Sequence, residues 1–151
     1  MSKSLRHSFL GVLAVCLVFA ASCTKDVESL LYPKEPAINL VELSNTDLAE
    51  FSDTLFVRFR YEDGDGDLGG LGGPSKLYVL DQRLSEPDEF SLEELTPDGQ
   101  ELAIAGEIIV ALGPYFKLGN SPEEMFVIEL WIVDRAGNES NHITTETLTV
   151  R

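Results

Sequence analysis

Apolar and polar residues alternate along several short stretches of the chain. Over residues 55–61 every second residue is apolar, and Arg58 and Arg60 occupy positions between them. Successive side chains of a strand point to opposite faces, so this period of two predicts a strand with one buried face. Similar patterns predict further strands at residues 37–43, 76–81, 102–112, 125–134 and 142–150.

Turn-forming residues separate these predicted strands: Asp63-Gly64, Gly69-Gly70, Gly72-Gly73-Pro74, Pro97-Asp98-Gly99, Gly113-Pro114 and Gly137-Asn138. Residues 91–95 and 122–125 are each expected to form one helical turn at most. Short strands with frequent Gly and Pro turns favour an all-β fold. Residues 37–151 have nearly the length of an immunoglobulin-like domain, about 100 residues. We therefore expect a single immunoglobulin-like β-sandwich over residues 37–151.

The first 22 residues have a different pattern. Lys3 and Arg6 precede an uninterrupted run of apolar and small residues at positions 9–21, and Cys23 follows shortly afterwards. This run is shorter than the roughly 20 apolar residues that a membrane-spanning helix needs. A basic start followed by a short apolar run is typical of a cleavable export signal.

The end of this segment, Ala20-Ala21-Ser22-Cys23, resembles the lipobox of bacterial lipoproteins. The resemblance covers four residues, and Ala20 stands where that family more often has Leu. It implies that residues 1–22 are a cleaved signal peptide and that Cys23 is acylated at the new N-terminus. The alternative is an ordinary secretory signal cleaved near Ala21.

Cysteine usage agrees with acylation. The chain has two Cys residues, Cys16 within the apolar run and Cys23, so a chain cleaved before Cys23 keeps one thiol and forms no intramolecular disulfide. Residues 24–28 resemble the Lys- and acid-rich stretch that follows the Cys in surface-exported lipoproteins of the Bacteroidota type. Pro33 and Pro36 predict a semi-extended tether over residues 23–36. We expect a lipid-anchored protein at the outer membrane or cell surface.

The chain is strongly acidic, with a formal net charge of −15. Loss of residues 1–22 removes two positive charges, those of Lys3 and Arg6, and leaves −17. Nucleic-acid binding depends on Lys and Arg that neutralise phosphates, so this charge argues against a nucleic-acid partner. A protein or glycan partner is expected instead.

Two further segments carry a resemblance. Residues 126–138, which end in Asp134-Arg135-Ala136-Gly137-Asn138, resemble the last hairpin of bacterial immunoglobulin-like and fibronectin-type domains. Residues 63–69 resemble a loop of many uncharacterised Bacteroidota-type lipoproteins. The resemblance implies a sandwich that serves as a binding or accessory module outside the cytoplasm, and it implies no particular activity.

Asp63, Asp65 and Asp67 alternate with Gly64 and Gly66 directly after a predicted strand. Alternate carboxylates in a Gly-containing loop can converge on Ca²⁺, which takes six to eight oxygen ligands. An EF-hand is excluded, because Leu68 occupies the position where that loop requires Gly and Pro74 the position where it requires Glu. We expect a Ca²⁺ site, with Asp134 and Asn138 as weaker candidate ligands. The alternative is a turn whose aspartates are solvated and cap local N–H groups.

Other chemistry has less support. Trp131 is a weak candidate for partner binding by stacking on a sugar, and burial under a loop is the alternative. His142 is the only His after residue 22, so a zinc site lacks N and S ligands, and His142 is expected to be an ordinary strand-edge residue. The alternative to a binding module is a small carboxylate-dependent hydrolase acting on surface glycans.

Overall fold

The computed structural model describes residues 32–70, 75–93, 95–96 and 102–151. The predicted signal peptide, the predicted acylation site Cys23 and most of the predicted tether lie outside the described residues. So do the predicted turns Gly72-Gly73-Pro74 and Pro97-Asp98-Gly99.

The described chain is an all-β sandwich, which confirms the predicted fold class. Its strands are β1 (Ala37–Leu43), β2 (Asp47–Leu48), β3 (Leu55–Asp63), β4 (Lys76–Asp81), β5 (Asp88–Ser91), β6 (Ile104–Leu112), β7 (Glu124–Phe126), β8 (Ile128–Val133), β9 (Ile143–Thr144) and β10 (Leu148–Val150). The described part of the chain contains no helix, and neither segment that could have formed one helical turn does so among the described residues. Ser91 instead ends β5, and β7 begins two residues after Pro122.

Three sheets form the sandwich, in the orders β1-β3-β6, β5-β4-β8-β9 and β2-β10-β7. Pairing is antiparallel except between β2 and β10, which run parallel. The predicted strand over residues 125–134 is interrupted at Val127, and the last predicted strand is divided into β9 and β10. At the interruption the Thr145 hydroxyl accepts a hydrogen bond from the Ile128 amide, 3.1 Å. The Thr145 side chain thereby takes the place of a backbone hydrogen-bond acceptor at this point of the sheet.

Strands β3 and β8 both contribute to the core with the alternating burial that a period of two predicts. On β3, Leu55, Val57 and Phe59 are fully buried, and β8 contributes three more fully buried side chains: Ile128, Leu130 and Ile132. Each such side chain stabilises the fold by about 1.5–3 kcal/mol. Leu68, from the loop after β3, is fully buried in the same core. The loop that carries the Asp triplet is thus fastened to the core by its own apolar residue.

Strand pairing places two loops at one end of the sandwich. β3 ends at Asp63, and β8 ends at Val133, opposite Lys76 at the start of β4. The Arg135 amide donates to the Asp67 carbonyl oxygen, 3.3 Å, and so joins the loop after β8 to the loop after β3. Asp81, the last residue of β4, lies at the opposite end of the sandwich.

Candidate metal centre

The three aspartates that follow β3 converge in space. Asp63, Asp65 and Asp67 each offer a carboxylate oxygen, and the three oxygens lie within 4.8 Å of one another. The Asp63 side chain is 0% exposed, and Asp65 and Asp67 are half-buried. We refer to these three residues as the Asp cluster.

Asp63 and Asp67 each accept a hydrogen bond from a backbone amide with one carboxylate oxygen. Asp63 Oδ2 accepts a hydrogen bond from the Leu68 amide at 3.3 Å, and Asp67 Oδ2 accepts one from the Ala136 amide at 3.0 Å. The Oδ1 atoms of Asp63, Asp65 and Asp67 are buried and accept no hydrogen bond from any described residue. Buried polar atoms in native proteins nearly always have a partner, so three such oxygens in one loop require an explanation.

Positive charge near the cluster is weak, because the ammonium group of Lys34 is 4.0 Å from Asp65 Oδ2 on a side chain that is 81% exposed. Burial, together with the nearby charges of Asp65 and Asp67, raises the pKa of Asp63 to about 6. Burial and the charges of Asp134 and Asp65 also raise the pKa of Asp67, and they outweigh the hydrogen bond from the Ala136 amide and the charge of Arg135, which act to lower it. Each shift reflects negative charge in a desolvated place without a sufficient counter-charge.

The spacing of the oxygens suits a single cation. Ca²⁺ binds oxygen at about 2.3–2.6 Å, so two oxygens on one ion are separated by at most about twice that distance, or roughly 5 Å. The three carboxylate oxygens satisfy this limit pairwise at 4.8 Å or less. The geometry therefore permits Asp63, Asp65 and Asp67 to coordinate one ion together.

Glycine at position 66 gives the loop its shape. Gly66 has a φ of 71°, and a Cβ added there would lie 2.0 Å from the Leu102 carbonyl oxygen. The Thr96 hydroxyl donates to the Gly66 carbonyl oxygen at 3.0 Å. Because this conformation and this close approach exclude a side chain, only glycine can turn the chain between Asp65 and Asp67.

Asp134 and Asn138 lie close to the cluster but bind each other. Asp134 is fully buried, and its two oxygens accept hydrogen bonds from the Asn138 amide at 2.7 Å and from Asn138 Nδ2 at 2.8 Å. The hydrogen bond from the Arg135 amide to the Asp67 carbonyl oxygen places this loop beside the loop of the cluster. The group of three converging carboxylates consists of Asp63, Asp65 and Asp67, whereas Asp134 and Asn138 shape the loop that holds Asp67.

Trp131 lies on the outer face of β8, half-buried within a stack of three rings. The centre of the Tyr78 ring is 5.2 Å from the centre of the Trp131 ring, with an angle of 8° between the ring planes. For His142 the corresponding distance is 4.5 Å and the angle is 2°. Tyr78 is on β4 and His142 directly precedes β9, and these strands flank β8 on opposite sides. Both indole faces are therefore covered, so the ring offers an edge and not a free face to a sugar.

His142 joins two acidic side chains, a role that the sequence did not indicate. Its Nδ1 lies 2.8 Å from Glu129 Oε1, and its Nε2 lies 3.0 Å from Glu139 Oε1. Burial acts to lower the pKa of His142, but the hydrogen bonds with Glu139 and Glu129 outweigh it, and the net shift is upward. This His thus serves as a local counter-charge when protonated.

A second group of acids surrounds Arg83 at the opposite end of the sandwich. Arg83 Nη2 lies 2.6 Å from Asp81 Oδ2, and Arg83 Nη1 lies 3.2 Å from Glu124 Oε2. The guanidinium carbon also lies 4.1 Å from the centre of the Phe126 ring. We refer to Arg83, Asp81 and Glu124 as the Arg83 cluster, in which a positive side chain is built into the acidic group.

Comparison with known proteins assigns no family. No protein-family model matches the chain, and a search of curated proteins finds no significant match.

Proposed function

We propose that the protein is a lipid-anchored, extracytoplasmic, non-catalytic β-sandwich module that binds one structural Ca²⁺ ion at Asp63, Asp65 and Asp67. The module presents the rest of its surface to a partner protein or glycan, or spaces other components at the outer membrane or cell surface. Its acidic surface favours partners that are neutral or cationic.

The observation that carries the metal site is the buried carboxylate of Asp63. Its side chain is 0% exposed, its Oδ1 accepts no hydrogen bond among the described residues, and two more carboxylates converge on it. A buried charge without a partner costs several kcal/mol, a cost that a bound divalent cation would offset. An acidic turn of solvated aspartates, the alternative, would leave these oxygens exposed to water.

The donor set favours Ca²⁺ over other common ions. All three side chains supply hard carboxylate oxygens, whereas zinc sites use His and Cys. Mg²⁺ requires near-octahedral geometry at 2.0–2.1 Å and usually keeps several waters, so it commonly binds through one or two carboxylates. Three carboxylates in a glycine-containing loop suit the larger and less directional Ca²⁺ shell.

Thermal unfolding tests the ion and its identity. The purified protein, first stripped with a chelator, is heated alone, with CaCl₂ and with MgCl₂. Calcium modules of extracellular proteins bind with Kd values of about 10⁻⁴–10⁻³ M, and a hundredfold excess over Kd stabilises a protein by about 2.7 kcal/mol. We expect Tm to rise with Ca²⁺ and to rise much less with Mg²⁺. An unchanged Tm in Ca²⁺ would contradict the proposal.

Asp47→Asn provides a matched control. Asp47 also has a buried Oδ1 without a hydrogen-bond partner among the described residues, but its other oxygen pairs with Arg151. The control variant should keep the full Ca²⁺ response, whereas Asp63→Asn should lose it. An equal loss in both variants would mean that the response does not come from the Asp cluster.

The anchor rests on the sequence of residues 1–23. Within the part of the chain that the structure describes, no helix combines the length and apolar character needed to cross a bilayer. An acylated Cys23 would attach the domain, because two or more acyl chains hold a protein stably where one gives only marginal binding.

Mass spectrometry and fractionation test the anchor. Protein extracted from membranes should have the mass of a chain that begins at Cys23 and carries acyl groups. Cys23→Ala should move the protein from the membrane fraction to the soluble fraction. An unmodified wild-type chain in the soluble fraction would overturn this part of the proposal.

The burial of Asp63 is the reason for preferring a structural ion to hydrolysis. A glycosidase needs two carboxyl groups about 5–10 Å apart that both reach the substrate. The raised pKa of Asp63, about 6, is typical of a general acid, yet its side chain is 0% exposed. A substrate would reach this carboxyl group only after the loop had opened.

A further inference from the structure

The chain that leads into the domain packs against the loop of the Asp cluster. The Gly64 amide donates a hydrogen bond to the Pro33 carbonyl oxygen, 2.8 Å. Gly64 lies between Asp63 and Asp65, so the contact is made by the same short segment that supplies the cluster. The residues just before β1 are therefore fastened to the candidate metal loop.

This contact depends on the absence of a side chain at position 64. A Cβ added to Gly64 would lie 2.5 Å from the carbonyl oxygens of both Pro33 and Tyr32. The two backbones thus lie directly against each other. A nearby ion pair adds little, because Lys34 Nζ is 4.0 Å from Asp65 Oδ2 and its side chain is 81% exposed.

The charge of the cluster acts on this contact. Without a cation, the carboxylates of Asp63, Asp65 and Asp67 repel one another at short range in a partly desolvated site. Opening of the loop relieves the repulsion, and it also moves the Gly64 amide away from Pro33. A cation among the three carboxylates reverses the sign of this interaction and favours the conformation in which the contact forms.

We propose that cation binding at the Asp cluster fastens residues 32–36 to the sandwich. The bound ion then determines where the chain before β1 leaves the domain, and we refer to this contact between residues 32–36 and the cluster loop as the joint. The inference rests on the proposed Ca²⁺ site. In the loaded protein the chain is held from Pro33 onward. In the cation-free protein it is first held where β1 pairs with β3, at Ala37 opposite Glu62.

Limited digestion of the full-length, detergent-extracted protein with a lysine-specific protease tests this joint. Cleavage after Lys34 reports release of the segment, and cleavage after Lys76, on β4, reports opening of the sandwich itself. Cleavage after Lys25, earlier in the chain, is the internal reference for protease activity. We expect Ca²⁺ to slow cleavage after Lys34 at least tenfold relative to Lys25, under conditions in which cleavage after Lys76 is not detected.

Calorimetric titration of the same preparation separates the two proposals. Ca²⁺ binding with an unchanged rate of cleavage after Lys34 would overturn the joint and leave the metal site standing. An absence of Ca²⁺ binding would overturn both.

Gly64→Ala supplies a variant that keeps all three aspartates. If the variant folds, it should bind Ca²⁺ yet show rapid cleavage after Lys34 with or without the ion. Slow, Ca²⁺-protected cleavage in this variant would contradict the assigned contact. The wild-type digestion decides the matter alone if the variant does not fold.

Discussion

The two ends of the sandwich hold acidic clusters that are satisfied in different ways. In the Arg83 cluster, one guanidinium contacts both Asp81 and Glu124. In the Asp cluster, three carboxylates converge with raised pKa values at Asp63 and Asp67 and three Oδ1 atoms without hydrogen bonds among the described residues. One end carries its counter-charge as a side chain. The other has a place for a counter-charge that the described residues do not fill.

This difference supports an external cation. The chain readily satisfies partly buried acids with its own residues, through Arg83 at one end and through His142 on the outer face of β8. An acidic group built differently, with glycine where the chain turns and each Oδ1 left without a hydrogen bond, suits a ligand that arrives from solution. Metal sites in proteins are assembled from such oxygens.

The largest expected effect comes from breaking the cluster that already has its cation. Arg83→Met keeps much of the side-chain volume over Phe126 but removes the guanidinium from Asp81, which retains only the hydrogen bond from the backbone amide of residue 83 to its Oδ1. Loss of one member of a buried pair costs on the order of 3 kcal/mol, so urea unfolding should show a clear drop in stability. Arg58→Met is the matched control, because Arg58 pairs with Glu42 on the exposed face of the β1-β3-β6 sheet and should matter little. Ca²⁺ should not rescue Arg83→Met, and an equal loss in both variants would contradict the contrast.

Asp63→Asn should change the stability of the protein in opposite directions with and without Ca²⁺. The amide keeps an acceptor for the Leu68 N–H and removes one buried charge from the repelling group. Without the ion, the variant should be more stable than the wild type by on the order of 1–3 kcal/mol, because an Asp with a pKa of about 6 is ionised at pH 7 at a cost. With saturating Ca²⁺ the order should reverse. Urea unfolding of both proteins, in chelator and in Ca²⁺, measures these two differences. A variant less stable than the wild type in chelator would contradict the prediction.

The smallest effect concerns His142, where the counter-charge depends on pH. Its pKa is raised in the folded protein because the hydrogen bonds with Glu139 and Glu129 outweigh burial. The stabilisation is therefore fully present below the ordinary His pKa of about 6.5, and it is lost as pH rises through the folded-state pKa. The side chain is 37% exposed, so the contribution should stay below about 1 kcal/mol.

His142→Gln isolates the contribution that protonation of His142 makes to stability. Glutamine keeps hydrogen-bonding capacity but does not titrate, so the difference in stability between wild type and variant should be larger at pH 5.5 than at pH 8.5. Thermal unfolding of both proteins across this range measures the difference. A difference that does not change with pH would show that the imidazole contributes only by stacking on Trp131.

The strands with one buried face were predictable from the sequence, since burial on one side imposes a period of two. The predicted bounds of β1 and β4 agree with the structure, and β3 extends only two residues beyond its prediction. β5 escaped detection because all four of its residues are exposed, which leaves no alternation. β2 has only two residues and is defined by its pairing with β10.

The Asp triplet was predictable because its members are close in the sequence. The Arg83 cluster was not, because Arg83 and Glu124 are 41 residues apart and meet only in the folded protein. The covered faces of Trp131 depend likewise on rings from β4 and from the segment before β9. The structure was needed to show which oxygens of Asp63 and Asp67 accept backbone hydrogen bonds and which oxygens of the three aspartates have no partner among the described residues.

Calorimetric titration of Ca²⁺ into chelator-treated protein tests the central claim most directly, with wild type and Asp63→Asn measured side by side. The account predicts one ion per wild-type chain, bound at millimolar or lower concentration, and no detectable binding to the variant. Absence of wild-type binding at millimolar Ca²⁺, or equal binding by both proteins, would contradict it.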